Sequence, residues 1–93
     1  MNVNLINGLY ISDIRIHRVP NQDDVGLKAY VEIVLNDAIA AGSIRLFRNE
    51  DGKYALRYPI NPSSKRKLAY FMVLGADIRS AVLDEVVDIF ENS

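Results

Sequence analysis

Over most of the chain before Gly75 the apolar positions recur every second residue, and beyond it they recur every three or four. From Leu9 to Val19, Tyr10, Ile14 and Ile16 fall on one side while Asp13, Arg15 and His17 fall on the other. That is the pattern of a half-buried strand, and Pro20 ends it. NQDDVG then supplies a polar connection closing at Gly26. Leu27, Ala29, Val31, Ile33 and Leu35 alternate strictly with Lys28, Tyr30, Glu32 and Asn36, which predicts a second strand over 27–36. DAIAAG, residues 37–42, reads as a loop or a strand-to-strand crossover. Two β-prone runs next flank NEDG, whose Asp51-Gly52 pair suits a tight hairpin turn with positive φ. Tyr54, Leu56 and Tyr58 share one face of the second run and Arg57 takes the other. Pro59 and Pro62 forbid a central-strand continuation, so NPSSKRK is a loop. LAYFMVLG, residues 68–75, is short, apolar and aromatic, and predicts a fifth strand.

Past Gly75 the period becomes helical. Asp77 is the predicted N-cap of a helix running to Phe90, with Ile78, Val82, Val86 and Ile89 as its apolar stripe. Leu83, Val87 and Phe90 widen that stripe beyond what one small sheet needs. Asp84, Glu85, Asp88 and Glu91 crowd the C-terminal half, where the helix dipole disfavours anions, so tertiary or intersubunit packing must hold the helix. The predicted fold is α+β: a small antiparallel sheet of about five strands followed by one C-terminal helix. A chain of 93 residues holds one domain, taken as 9–93 with residues 1–8 as an extension, and its small core invites completion by a second subunit.

Composition narrows the chemistry. With no cysteine there is no disulfide framework, zinc knuckle or thiol nucleophile, which fits a reducing cytosol. The N-terminus lacks the basic and apolar regions of a secretory signal, and no apolar run reaches the roughly 20 residues of a membrane span. The expectation is a cytoplasmic protein with no membrane partner. His17 is the single histidine, and no nucleophile or second acid stands at a recognisable spacing from it, so it reads as a surface residue. Asp23-Asp24 point apart, and Asp84, Glu85 and Asp88 have no histidine beside them, so no metal site is expected. Ser63-Ser64-Lys65 lacks the glycines of a phosphate-wrapping loop. Neither an enzyme nor a cofactor is expected.

Net charge is −1, but it is unevenly spread. Residues 45–67 hold seven cations (Arg45, Arg48, Lys53, Arg57, Lys65, Arg66 and Lys67) against Glu50 and Asp51, while the remainder holds four cations and ten acids. A basic face on an acidic body points to nucleic acid, since lysine and arginine neutralise phosphates and release counterions. Arg45 and Arg48 have opposite parity, so both can serve one surface only if the strand ends or bulges between them. Tyr54 and Tyr58 could stack on unpaired bases, although core packing is the favoured role. For Lys65 to Lys67 the competing role is that of charged gatekeepers beside the aggregation-prone LAYFMVLG.

The order of motifs resembles the SpoVG family (stage V sporulation protein G, or septation protein). The matching segments are Ser12-Asp13-Ile14-Arg15-Ile16, Ala29 to Asn36, Ile44-Arg45-Leu46, Gly52 to Pro59, Ser64-Lys65-Arg66 and Ile78 to Glu85, spanning about Leu9 to Phe90. The resemblance implies a small sheet with a C-terminal helix, homodimers formed by strand pairing and helix exchange, and non-enzymatic binding of DNA and RNA in bacterial gene regulation. It also implies nucleic-acid contact at Lys65 and Arg66. The chain departs from the family where Lys67-Leu68 replaces T-P-D-G, where Pro59 and Pro62 bracket the spacer, and where Val73-Leu74-Gly75-Ala76 replaces H-P-I-N. The expected function is therefore a homodimeric nucleic-acid-binding regulator using Lys65, Arg66, Lys67, Arg45, Arg48 and Arg57. The alternative is a protein–protein adaptor working through its sheet edge or helix.

Overall fold

Each strand of the sheet pairs antiparallel with the one before it. The computed structural model describes residues 2–63, 65, 66, 70, 71, 73 and 75–92. It comprises β1 (Val3–Ile6), β2 (Leu9–Arg18), β3 (Gly26–Leu35), β4 (Ile39–Arg48), β5 (Tyr54–Arg57) and α1 (Ala76–Glu91), with the strands in the order β1-β2-β3-β4-β5. The sheet curls into a half-barrel, and α1 covers one of its faces. The expected α+β architecture of five strands and a C-terminal helix is the one observed.

Two of the predicted elements change place. Residues 3–6, set apart as an extension, form β1 and pair with β2. Asn7 and Gly8, at φ 43° and 82°, join Ile6 to Leu9 in a two-residue turn. Asn-Gly is the sequence that best tolerates such a left-handed pair. Conversely, Tyr70, Phe71, Val73 and Gly75 are not in a strand, and the rest of the predicted 68–75 strand (Leu68, Ala69, Met72 and Leu74) lies outside the described residues. Phe71 and Val73 instead pack, half-buried, against the core, with the Phe71 ring edge-on to Tyr58 at 6.0 Å. Phe71 and Val73 therefore serve burial from outside the five strands.

DAIAAG is also not a loop. Asn36 and Asp37, both at φ 52°, make the turn, Ala38 N–H donates to Leu35 C=O at 2.9 Å, and β4 begins at Ile39. Short polar residues adopt this left-handed conformation more readily than others. Their side chains then tie three strands together. Asn36 Nδ2 donates to Gly8 C=O and Asn36 Oδ1 accepts from Tyr10 N–H, both at 2.9 Å. Asp37 N–H donates to Ser12 Oγ at 2.9 Å, and Ser12 Oγ donates to Val34 C=O at 3.2 Å.

Ser12 sits at a break in the β2–β3 register, between the Ile11–Leu35 and Asp13–Val34 pairs. One extra residue there reverses the parity of β2. Ile11 and Ile14 both reach the core, and Tyr10 turns away from it to donate its hydroxyl to Asp37 at 3.3 Å. The alternation that groups Tyr10 with Ile14 does not survive the bulge.

The core is built from Ile11, Ile14, Ala29, Val31, Ile33, Ile44 and Leu46 of the sheet with Val82, Val86 and Phe90 of α1. Each fully buried large side chain contributes about 1.5–3 kcal/mol. Asp77 is not the N-cap. Gly75 holds that position at φ 85° without a side-chain cap, and Asp77 lies in the first turn, where the helix dipole favours an anion. The opposite end has no basic residue in its last turn. The compensation comes from β2: the Arg18 guanidinium donates to Phe90 C=O and stands 4.0 Å over the Phe90 ring. Tyr54 meets the same ring edge-on at 5.9 Å. The acid-rich helix end is thus held by tertiary contacts.

Arg18→Ala should lower stability by about 1–3 kcal/mol, the loss of a charge-assisted hydrogen bond and a cation–π contact. Urea unfolding should show a lower midpoint with an unchanged slope. Tyr58→Phe should act in the other direction. The Tyr58 hydroxyl is buried and without a hydrogen-bond partner among the described residues, so its removal should stabilise by about 1 kcal/mol in the same assay.

Candidate nucleic-acid interface

Because side chains alternate along strands and pair across them, the register assigns every β-residue to a face. The Val31–Ile44 and Ala29–Leu46 pairs are buried under α1. Residues between them must point the other way, onto a face that no helix covers. There His17 pairs with Tyr30, Tyr30 with Arg45, and Arg45 with Arg57, a single row crossing β2, β3, β4 and β5. The row lies between the two β3–β4 register breaks, where pairing is regular. Phe47, two residues beyond Arg45, shares this open face and pairs with Ala55.

The two arginines are organised around Phe47. The Arg57 guanidinium stands 4.1 Å and that of Arg45 5.6 Å from the ring centre. Contact with the ring's negative face favours each cation and restrains it. Tyr30 is different: 44% exposed, its side chain makes no hydrogen bond or ring contact among the described residues. His17 is exposed too and forms no ion pair there.

Toward the β1 side the same face carries acids. Arg15 bonds Asp13 Oδ2 at 3.1 Å and Glu32 Oε1 at 2.8 Å. The Asp13 hydrogen bond, and then the Glu32 charge, raise the Arg15 pKa above its ordinary value, so this cation is committed to the two carboxylates. The open face is therefore graded, acidic around β2 and basic across β4 and β5. A polyanion would be drawn to the β4–β5 end.

The predicted cations divide accordingly. Arg45 and Arg57 lie together on the open face. Arg48 does not: it pairs with Tyr54 on the helix side, stands 5.6 Å from that ring, and donates Nε–H to Gly52 C=O at 3.3 Å. It lines a hollow with Lys53 that Asp84, Asp88 and Glu91 of α1 also line, so its charge faces carboxylates. The strand neither ends nor bulges between Arg45 and Arg48, and parity separates them. Lys65 and Arg66 are exposed in turns after Pro62, and Lys67 lies outside the described residues. Tyr54 packs on Phe90 and Tyr58 on Phe71, the core role favoured for both.

Tyr30 is the residue that cation counting overlooks. Its signal is an aromatic at an outward position of an otherwise strict alternation, LKAYVEIVL. Among the described residues no cluster of three His, Asp or Glu side chains could hold a metal ion, and no helix is long and apolar enough to cross a membrane. Comparison with known protein families and with curated protein sequences finds no match.

A double-mutant cycle should show Phe47 and Arg57 coupled by about 0.5–1 kcal/mol in urea unfolding, as expected for an exposed cation–π pair. The Tyr30–Arg57 cycle, two strands apart, should give a coupling near zero.

Proposed function

We propose that the protein is a non-enzymatic nucleic-acid-binding regulator of the SpoVG type, acting in the cytoplasm as a homodimer. The observation that carries this reading is the cross-strand row Tyr30–Arg45–Arg57 on a sheet face left uncovered by α1. Two restrained guanidiniums beside an exposed aromatic suit a ligand with phosphates and bases. Lys65 and Arg66, exposed after Pro62, would add to the cationic surface as the family resemblance implies, and Lys67, outside the described residues, is a further candidate from the sequence. Arg48 is left out of the interface, because it faces Asp84, Asp88 and Glu91. The dimer follows from the small core and from the family's strand pairing.

An adaptor reading has one observation of its own. An apolar cleft of about 510 Å³ opens between Leu5, Leu35, Ile39 and Val82, and Ile39 is 62% exposed at its edge. Such a cleft could seat an apolar segment of another protein.

Salt titration separates the two. Wild-type protein should bind mixed DNA or RNA pools at low salt, with affinity falling linearly in log–log form. Arg45→Ala/Arg57→Ala should weaken binding and reduce the salt slope by about 1.4–1.8, and Lys65→Ala/Arg66→Ala/Lys67→Ala by up to about 2.1–2.7 more, at about 0.7–0.9 per lost phosphate contact. Arg48→Ala should leave the slope unchanged. A wild type that binds neither pool at low salt hands the function to the adaptor reading. For the dimer, sedimentation at micromolar concentration should show more than the 10.5 kDa protomer, and a protomer alone would refute it.

A further inference from the structure

We propose that the open face takes single-stranded nucleic acid, with the Tyr30 ring as the platform on which an unpaired base stacks. This rests on the nucleic-acid reading above and adds the form of ligand the site selects. Tyr30 lies on β3, the central strand of the five, is 44% exposed, and makes no hydrogen bond, ion pair or ring contact among the described residues. Phe47, the other aromatic of this face, has guanidiniums at 4.1 and 5.6 Å from its centre. A ring already flanked by guanidiniums has less surface to offer a base than one with no cation or ring partner.

The cations are set where a stacked nucleotide needs them. Arg45 and Arg57 follow Tyr30 in register on the next two strands, so their backbones stand about 5 and 10 Å from that of Tyr30. Long arginine side chains at those steps span the reach from a base on Tyr30 to its own phosphate and the next. A chain laid along this row crosses the strands from β3 toward β5 and moves away from the Asp13–Arg15–Glu32 cluster.

A duplex cannot use the same surface in the same way. Its base faces are stacked against each other, and its major groove, about 12 Å wide, admits a helix or a two-stranded ribbon. The face of a five-stranded sheet is too broad to enter. The helix cannot substitute, because α1 carries Asp77, Asp84, Glu85, Asp88 and Glu91 against the single cation Arg79. A duplex would meet the arginines through its backbone alone and leave Tyr30 unused.

The test is fluorescence anisotropy on the full chain with labelled oligo-dT and oligo-U of about 12 nucleotides and a mixed-sequence duplex of the same length. Wild type should bind both single strands roughly tenfold or more tighter than the duplex, because stacking is added to the phosphate contacts. Tyr30→Phe, which keeps the ring, should stay within about twofold of wild type. Tyr30→Ala and Tyr30→Leu should lose about 5- to 150-fold on single strands with an unchanged salt slope. Tyr30→Leu keeps an apolar strand residue, so a folding defect in Tyr30→Ala, read by circular dichroism, would not blunt the test. Equal affinity for duplex and single strands, or single-strand binding indifferent to Tyr30→Leu, overturns this inference and leaves the nucleic-acid reading standing. Absence of binding to all three probes overturns both.

Discussion

A sheet has two faces, and this chain has one helix with which to cover them. That asymmetry governs the rest of the molecule. Val82, Val86 and Phe90 of α1 bury Ile11, Val31, Ile44 and Leu46, so the residues between those strand positions face the other way. An uncovered face must keep polar or charged groups in water, or carry apolar groups that something else contacts. Most of this one complies with Asp13, Arg15, Glu32, Arg45 and Arg57. Tyr30 and Phe47 do not, and the protein treats them differently: arginines flank Phe47, whereas Tyr30 stands open.

Which residues reach which face depends on a few backbone devices. The extra residue at Ser12 reverses the parity of β2, bringing Ile11 and Ile14 into one core while Asp13, Arg15 and His17 stay outside. That bulge is pinned by hydrogen bonds through Ser12, Asn36 and Asp37. Each bond pairs a short polar side chain, of Ser12 or Asn36, with a main-chain group of a neighbouring strand or turn. A one-residue slip without the pin would exchange the two faces of the β2 ladder.

Much of this was legible in the sequence, and the failures share a cause. Strict alternation located β2, β3 and the β4–β5 hairpin, and helical spacing located α1, because burial on one side imposes those periods. Where the period is absent the reading failed. Asn7-Gly8 and Asn36-Asp37 are turns defined by backbone conformation, not by apolar spacing, so spacing alone gives neither β1 nor the start of β4 within the stretch it reads as a loop or crossover. LAYFMVLG, uniformly apolar, carries no period that could show how Phe71 and Val73 reach the core without a strand. At the candidate site, parity correctly warned that Arg45 and Arg48 diverge. Charge counting could not show that Arg48 shares a hollow with the acids of α1, since that hollow joins residues far apart in the chain.

The basic stretch of the sequence and the basic surface of the fold are consequently different sets. Residues 45–67 carry the excess of cations, yet Arg48 and Lys53 line a hollow with carboxylates of α1, while His17 and Tyr30 join Arg45 and Arg57 from strands outside that stretch. Clustering along a chain measures local composition, whereas a polyanion responds to clustering in space. In a meander the conversion between the two follows strand register, because each strand adds one residue to any row that crosses the sheet. A row of four strands therefore samples four separate sequence segments, and its chemistry is invisible to any window short enough to hold a motif. The aromatic at position 30 and the arginine at position 57 become neighbours two strands apart only because β4 runs between them in register, with Arg45 completing the row.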